Sequence, residues 1–273
     1  MRRFFRTPKG LLLLILGALV LLAAPEEGWR AAWPGLVAAS VTAMAIDAPI
    51  LRWREGAWVF PSGALLTGLI VAMILSVHVP WFVGATASAI AIVSKYVVRT
   101  RAANVLNPAG LGLLAVFYIF KTEQDWWGAL PDLHPSAIAL LVATGVFIAA
   151  RVNKLPMVLA FLGVYYALFT AAAFVGNPAH VAEVFRPPDV NAALFFALFM
   201  VSDPPTAPTR PRDQLACGVL IGLVSFVAFE WLGVVTYLLV GLLAGNLLEA
   251  ARRLRLAARR RMSHLPAVVR PVQ

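Results

Sequence analysis

Cysteine is all but missing. Cys217 stands alone, which excludes an intramolecular disulfide and any four-cysteine cluster held by this chain. It lies in an apolar run and reads as a small packing residue. Charge is scarce as well: 13% of residues are charged, against roughly 25% in ordinary soluble domains. The few histidines, His78, His134, His180 and His264, show no metal-ligand spacing, so no metal is assigned. A nucleophile elbow, a phosphate-cradling glycine loop and paired catalytic carboxylates are also missing. That disfavours hydrolytic chemistry and leaves no residue assigned as catalytic.

What fills the chain is apolar sequence. Hydrophobic residues make up 61% of the 273, and mean hydropathy is +0.82. The charges lie between long apolar runs, which defines an all-α polytopic membrane protein whose first partner is the lipid bilayer. Apolar spans are expected at 10–24, 31–50, 61–77, 79–98, 105–121, 134–150, 155–175, 188–203, 214–229 and 231–248. The first has the shape of a signal peptide with small residues at Ala23-Ala24, but so many spans follow that it reads as an uncleaved helix. Two very short joins, at residues 77–80 and at Glu230, demand tight hairpins.

The net charge of +10 could point to nucleic acid. However, the aromatics that would stack on bases fall inside the apolar spans, so no nucleic-acid partner is expected. The basic residues mark orientation instead. With the N-terminus in the cytoplasm, only Arg30, Lys121 and Arg186 of the 23 fall outside. Glu26, Glu27, Glu123, Asp125, Asp132, Glu183, Asp189 and Glu230 also lie outside. This positive-inside pattern places both termini in the cytoplasm. The expected organisation is a basic segment (1–9), a first five-helix half (10–121), an outer connecting loop (122–133), a second half (134–248) and a basic tail (249–273). Five spans per half would invert one half relative to the other. Asn107 early in the fifth span and Asn246 late in the tenth are a faint echo of that repeat. In the connecting loop, Trp126 and Trp127 read as interfacial anchors.

Two polar stretches organise the rest. In RTRAANVLNPAGLGLLAVFYIF (residues 99–120), a basic turn leads through Asn104 to Asn107, with Pro108 suited to the first helical turn. Asn107 reads as the N-cap. Simple capping accounts for the amides equally well as facing a planar heteroaromatic ligand. Gly110 and Gly112 would let a ring or a neighbouring backbone come close. The second stretch, residues 202–209, ends a span at Asp203, where Pro204-Pro205 must stop the helix. Asp203 and Thr206 there could serve a ligand, or Asp203 could pair with Arg210 or Arg212. Asp47, before Pro49, has Arg52 and Arg54 for pairing. Carboxylates at membrane depth are costly, so Asp47, Asp203 and Glu230 are candidates for an ion pathway. Thr67, near the same inner face, is expected to bond back within its own helix. Gly218 and Gly222 read as a close-packing face.

These stretches resemble those of a known family. Residues 65–120, with Thr67-Gly68, a Pro80-containing hairpin, a basic turn and the Asn-x-x-Asn-Pro-Ala of residues 104–109, are similar to the first half of the NqrB/RnfD family. Residues 195–226, FFALFMVSDPPTAPTRPRDQLACGVLIGLVSF, resemble its second signature. The family comprises membrane flavin subunits of sodium-pumping NADH:quinone oxidoreductase and of Rnf complexes. The resemblance implies ten helices in inverted halves and non-covalent flavin (riboflavin or FMN). It also implies electron transfer coupled to sodium or proton movement, with other redox subunits or a soluble electron donor, and quinone, as partners. Carried over by position, Asn104, Asn107, Pro108, Gly110, Thr67, Asp203 and Thr206 are the candidate flavin-pocket residues.

The sequence departs from the family at one place. The threonine that usually carries covalent FMN lies after the Asn-Pro-Ala helix in a Ser-Gly-Ala-Thr-like motif. Here that interval is KTEQDWWGALPDLHPS, in which Thr122 lacks the context, while Gly84-Ala85-Thr86 lies earlier, inside a span. Covalent flavin is therefore not expected. The alternatives are a small-solute transporter or channel on the same scaffold, or a non-redox structural subunit of a membrane complex.

Overall fold

The computed structural model describes residues 4–100, 103–134, 136–175 and 182–263, the side chains of 183 and 259–263 apart. Arg101, His180 and His264 lie outside the described residues. Among the described residues ten helices follow one another, with no strand. They are α1 (Pro8–Glu27), α2 (Trp29–Glu55), α3 (Ser62–Ile74), α4 (Trp81–Val97), α5 (Pro108–Phe120), α6 (Ser136–Arg151), α7 (Leu155–Val175), α8 (Asp189–Val201), α9 (Pro211–Glu230) and α10 (Tyr237–Ser263). Four of them, α1, α2, α7 and α9, are long and apolar enough to cross a membrane.

Local chemistry sets many boundaries. Thr7 caps α1, its hydroxyl accepting from the Gly10 N–H at 3.2 Å, with Pro8 in the first turn. Gly56 closes α2 at φ +69°, in the left-handed region where a Cβ is unwelcome. Pro34 and Pro49 lie inside α2, which runs through both to Glu55, well past the expected end at 50. In a packed apolar bundle, neighbouring helices re-satisfy the carbonyl a proline frees.

The packing has a repeated plan. In the first half α2 packs on α3 and α4, and α4 on α5. In the second, α7 packs on α9 and α9 on α10, with the halves meeting at α5–α10 and α1–α6. Glycines bring these backbones together. A methyl group at Gly112 would run into the Ala87 carbonyl oxygen of α4, and one at Gly218 into the Met157 carbonyl of α7. Gly112→Ala should therefore cost about 2 kcal/mol. At Gly17 a Cβ meets nothing within 4 Å, so Gly17→Ala should leave stability unchanged or raise it. Thermal unfolding midpoints in one detergent check both; equal midpoints would remove the close-packing account of Gly112.

Two short, mostly buried helices, α3 and α8, occupy the centre. At 13 residues α3 is about 20 Å long, too short for a hydrocarbon core of roughly 30 Å. It ends at Ile74 rather than 77 because the chain beyond it pairs with the interhelix loop: the Ser76 N–H donates to the Glu123 carbonyl at 3.3 Å and the Trp126 N–H to the Ile74 carbonyl at 3.1 Å. The join to α4 is correspondingly longer than expected. So is the join before α10, which begins at Tyr237 rather than 231.

That loop corrects the expectation of an interfacial Trp127. The residue is 1% exposed, and its indole N–H donates to the Ala72 carbonyl at 2.7 Å. Asn191 of α8 holds the loop from the other side, its amide donating to the Ala129 carbonyl at 2.9 Å and the Leu130 carbonyl at 3.2 Å. Non-helical backbone survives at this depth only because the protein encloses it and supplies its hydrogen bonds. Trp126 packs edge-on against Phe195 and Phe196.

In α8, residues Phe196–Val201 are π-wound and all buried. Such wide turns widen the spacing of carbonyls and are frequent beside functional sites. Pro204-Pro205 prevents α8 from continuing.

Candidate functional site

The helix ends divide by charge. One end of the bundle gathers Lys9, Lys95, Lys154 and the arginines of α10, and the other Glu27, Asp125, Asp132 and Asp189. At the basic end a cavity of about 480 Å³ opens between the halves, walled by the first turns of α1, α3 and α5, the last turns of α4 and α6, and the end of α8. Its floor and sides are apolar, from Leu12, Leu66, Ile70, Ile148 and Phe199. The polar groups are Lys9, Thr67, Lys95, Asn104, Asn107, Ser202 and Asp203. A few polar groups converging on an apolar cavity of this size is the usual form of a small-molecule site.

Both sequence signatures therefore border one space. Asn107 caps α5, its Oδ1 accepting from the Gly110 N–H at 2.9 Å. Its own backbone N–H donates to Oδ1 of Asn246 at 2.8 Å, tying α5 to α10 across the two halves. The remaining Asn107 amide N–H reaches toward Asp203 at 3.5 Å. The Asp203 carboxylate also accepts from the Thr206 hydroxyl at 3.0 Å, while its carbonyl accepts from the Ala207 N–H at 3.0 Å. Asn246 is 1% exposed, and its amide nitrogen has no protein partner among the described residues.

The candidates separate by what they touch. Asn104, Asn107, Pro108, Thr67 and Asp203 line the cavity. Asn104 lies ahead of the helix, bridged to Arg99, and borders the same space. Thr67 donates its hydroxyl to the Gly63 carbonyl at 3.0 Å, the back-bonding expected of it. Gly110 is away from the cavity; a Cβ there would press on Leu242 of α10 at 3.2 Å. Thr206 is buried behind Asp203 and acts on that carboxylate.

The acids pair otherwise than the sequence suggests. Asp47, 1% exposed, accepts from Lys95 Nζ at 2.8 Å and the Tyr96 hydroxyl at 2.6 Å. Arg54 lies instead over the Tyr96 ring, 4.8 Å from its centroid. The reason is register: residue 47 faces α4, whereas Arg52 and Arg54 sit one and two turns further on, beyond its reach. Asp203 turns to Asn107 and Thr206 rather than to Arg210 or Arg212, because the chain after Pro204-Pro205 folds back under it. Glu230 lies at the far end of α9, remote from Asp47 and Asp203.

Sequence reasoning missed the brace beneath the Asp203 loop. Arg253 of α10 donates to the Pro205 and Ala207 carbonyls, both at 3.0 Å. Lys154, in the α6–α7 turn, donates to the Ala207 and Pro208 carbonyls. Burial, with Arg253 close by, pulls the Lys154 ammonium below the ordinary lysine range. Glu249, 3% exposed, holds Arg252 and Arg253 in place. The tail arginines read as orientation signals; only the fold shows that one of them, Arg253, reaches back to a loop nearly fifty residues away.

Known proteins share this sequence pattern. The model of a family described as NQR2, RnfD, RnfE matches residues 8–135 and 133–249. A protein of Pseudomonas aeruginosa, described as one of the subunits of an ion-translocating oxidoreductase complex, is 25% identical over 84% of this chain and 84% of its own length. One of the same description from Ectopseudomonas mendocina is 26% identical over 72% of this chain and 75% of its own. Another, from Citrobacter koseri, is 28% identical over 52% and 42%.

Proposed function

The chain belongs to the NQR2, RnfD, RnfE family, and from that premise we propose that it is an integral-membrane electron-transfer subunit of an ion-translocating oxidoreductase complex, holding a non-covalent flavin in the basic-end cavity. The observation that carries the reading is the meeting of both polar signatures, from different halves, around one largely apolar space. Asn104 and Asn107 offer amide donors and acceptors to a heteroaromatic edge, Asp203 accepts a ligand N–H, and Lys9 and Lys95 offset negative charge. Buried, partner-less Asn246 Nδ2 leaves donor capacity beside them. Bound flavin would supply a carrier that takes up and passes on electrons singly or in pairs. The protein's own groups would orient it, keep water from its apolar face and set the charge around it.

The two-part family match, meeting at residues 133–135, and the parallel packing plan support two five-helix halves. With the basic end in the cytoplasm of a bacterial inner membrane, the flavin would face cytoplasmic or membrane-bound donors. The relatives' description supports other subunits of such a complex as partners. Quinone as an acceptor belongs to the proposal itself. Coupling to sodium or proton movement is part of the same reading, and Asp47, Asp203 and Glu230 remain its ion-pathway candidates.

The test is direct. Protein purified in mild detergent should show flavin absorbance, and acid precipitation should release the chromophore into the supernatant in stoichiometric amount. A colourless preparation, or colour that stays with the pellet, would sink the proposal of free flavin. A second cavity at the acidic end favours one further reading, a small-solute transporter with opposed openings. Uptake by proteoliposomes lacking any redox partner, from flavin-free protein, would establish that reading instead.

A further inference from the structure

The connection from α2 to α3 leaves apolar surface open at the basic end of the bundle. Trp53 is 82% exposed and Trp58 75%, and Val59 and Phe60 are exposed beside them. On α4, which packs on α2, Val93 and Val97 lie four residues apart on one face, and both are exposed. Val93 is one turn deeper in the bundle than Val97. The apolar strip therefore runs from the helix end toward the middle of the span. Exposed apolar surface of this kind marks a place where something else binds.

Uncompensated positive charge is gathered at the same place. Residues 47–62 and 93–107 contain five basic residues and two acids, Asp47 and Glu55. Lys95 is spent on Asp47, and the other Asp47 oxygen, Oδ2, has no partner among the described residues. Arg52 donates to the Gly56 carbonyl at the end of its own helix. Arg54 and Arg99 are left. Neither forms an ion pair among the described residues. Arg54 lies over the Tyr96 ring, and Arg99 has a 3.5 Å contact with the Thr100 carbonyl. Both are near enough to Tyr96 to act on its hydroxyl. Like charges this close are stabilised by an anion between them. A guanidinium stacked on a ring keeps its N–H groups, and its planar fork fits a phosphate.

The occupant must carry negative charge and apolar chains together, the charge at the helix end and the chains along the strip. A soluble anion would leave Val93 and Val97 bare. An acidic phospholipid meets both conditions, and indoles such as Trp53 and Trp58 are favoured at headgroup level. We propose that the basic end of the α2–α4 pair binds an anionic phospholipid, its phosphate held by Arg54 and Arg99 and its acyl chains laid along Val97 and Val93. The site stands apart from the flavin reading and does not depend on it.

The experiment uses native mass spectrometry of the full chain in detergent, offered equal amounts of phosphatidylglycerol and phosphatidylcholine. The first lipid retained should be phosphatidylglycerol, by about tenfold or more, because the arginines repel the choline cation. Arg54→Gln and Arg99→Gln should each lower that preference about fivefold, the worth of one arginine at an anionic headgroup. Arg255→Gln removes an exposed arginine elsewhere at the same end and should leave the preference unchanged. Glycerol phosphate, a headgroup without chains, should fail to displace the lipid at equal concentration. All variants are compared after gel filtration as monodisperse protein. Equal retention of the two lipids would leave the patch to a protein partner and overturn the proposal. An undiminished preference in both Arg54→Gln and Arg99→Gln, an equal loss in Arg255→Gln, or displacement by glycerol phosphate would also overturn it. A preference kept by flavin-free protein would leave it standing while the flavin reading fell.

Discussion

Glu249→Ala is expected to destabilise the fold by about 3 kcal/mol, the lower end for breaking a buried ion pair, and to loosen the loop that carries Asp203. Glu249 accepts from Arg252 Nε at 2.7 Å and Nη2 at 2.9 Å, and from Arg253 Nε at 2.6 Å. Those contacts aim Arg253 at the Pro205 and Ala207 carbonyls. Without the carboxylate, Arg252, Arg253 and Lys154 crowd one another, and only the 2.8 Å bridge from Arg252 to Asp213 remains to offset them. Both arginines keep some exposure to water, which is why the lower figure applies. Two measurements check this: the thermal unfolding midpoint in detergent, and the rate of tryptic cleavage after Arg212, an exposed site just past the loop. Glu249→Gln keeps one acceptor and should fall between. If Glu249→Ala matched the parent chain in both, the brace would have no energetic role.

Asp203→Ala should reduce flavin affinity at least about tenfold, since a hydrogen bond to a charged group contributes about 1.5–3 kcal/mol. The carboxylate is the meeting point of the site. It takes the Thr206 hydroxyl at 3.0 Å, draws the Asn107 amide and borders the cavity directly. Removing it would leave the Thr206 hydroxyl on its carbonyl contact alone and free the Asn107 amide to turn. Asp203→Asn preserves the shape and one acceptor and should lose less, which separates loss of charge from collapse of the loop. Quenching of flavin fluorescence on rebinding to stripped protein gives the affinities. Equal affinity for Asp203→Ala and the parent chain would place the flavin somewhere other than this cavity.

How much of this is legible in the sequence differs from residue to residue. The Asn107 cap, the Pro108 start and the stop at Pro204-Pro205 are readable because they are local: each is fixed by side chain and backbone within four positions. Thr67 bonding back to Gly63 belongs to the same class. The pairing of Asp47 is misleading in the sequence because choosing Lys95 over Arg52 and Arg54 depends on which face of α2 meets α4. Trp127 misleads for a similar reason. An indole beside a polar loop suits an interface, and only the loop's fold back into the bundle makes the Ala72 carbonyl its partner.

By itself the sequence determined the helical membrane character, the ten apolar segments, the charge asymmetry of their ends and the two polar signatures. Those follow from hydropathy and from residues that act over one helical turn. The tertiary structure decided that the signatures share a cavity, that Asn107 and Asn246 join the halves and that Arg253 of the last helix braces the Asp203 loop. These contacts span about fifty to about 140 residues of chain. Their partners are selected by packing register, which no local pattern encodes.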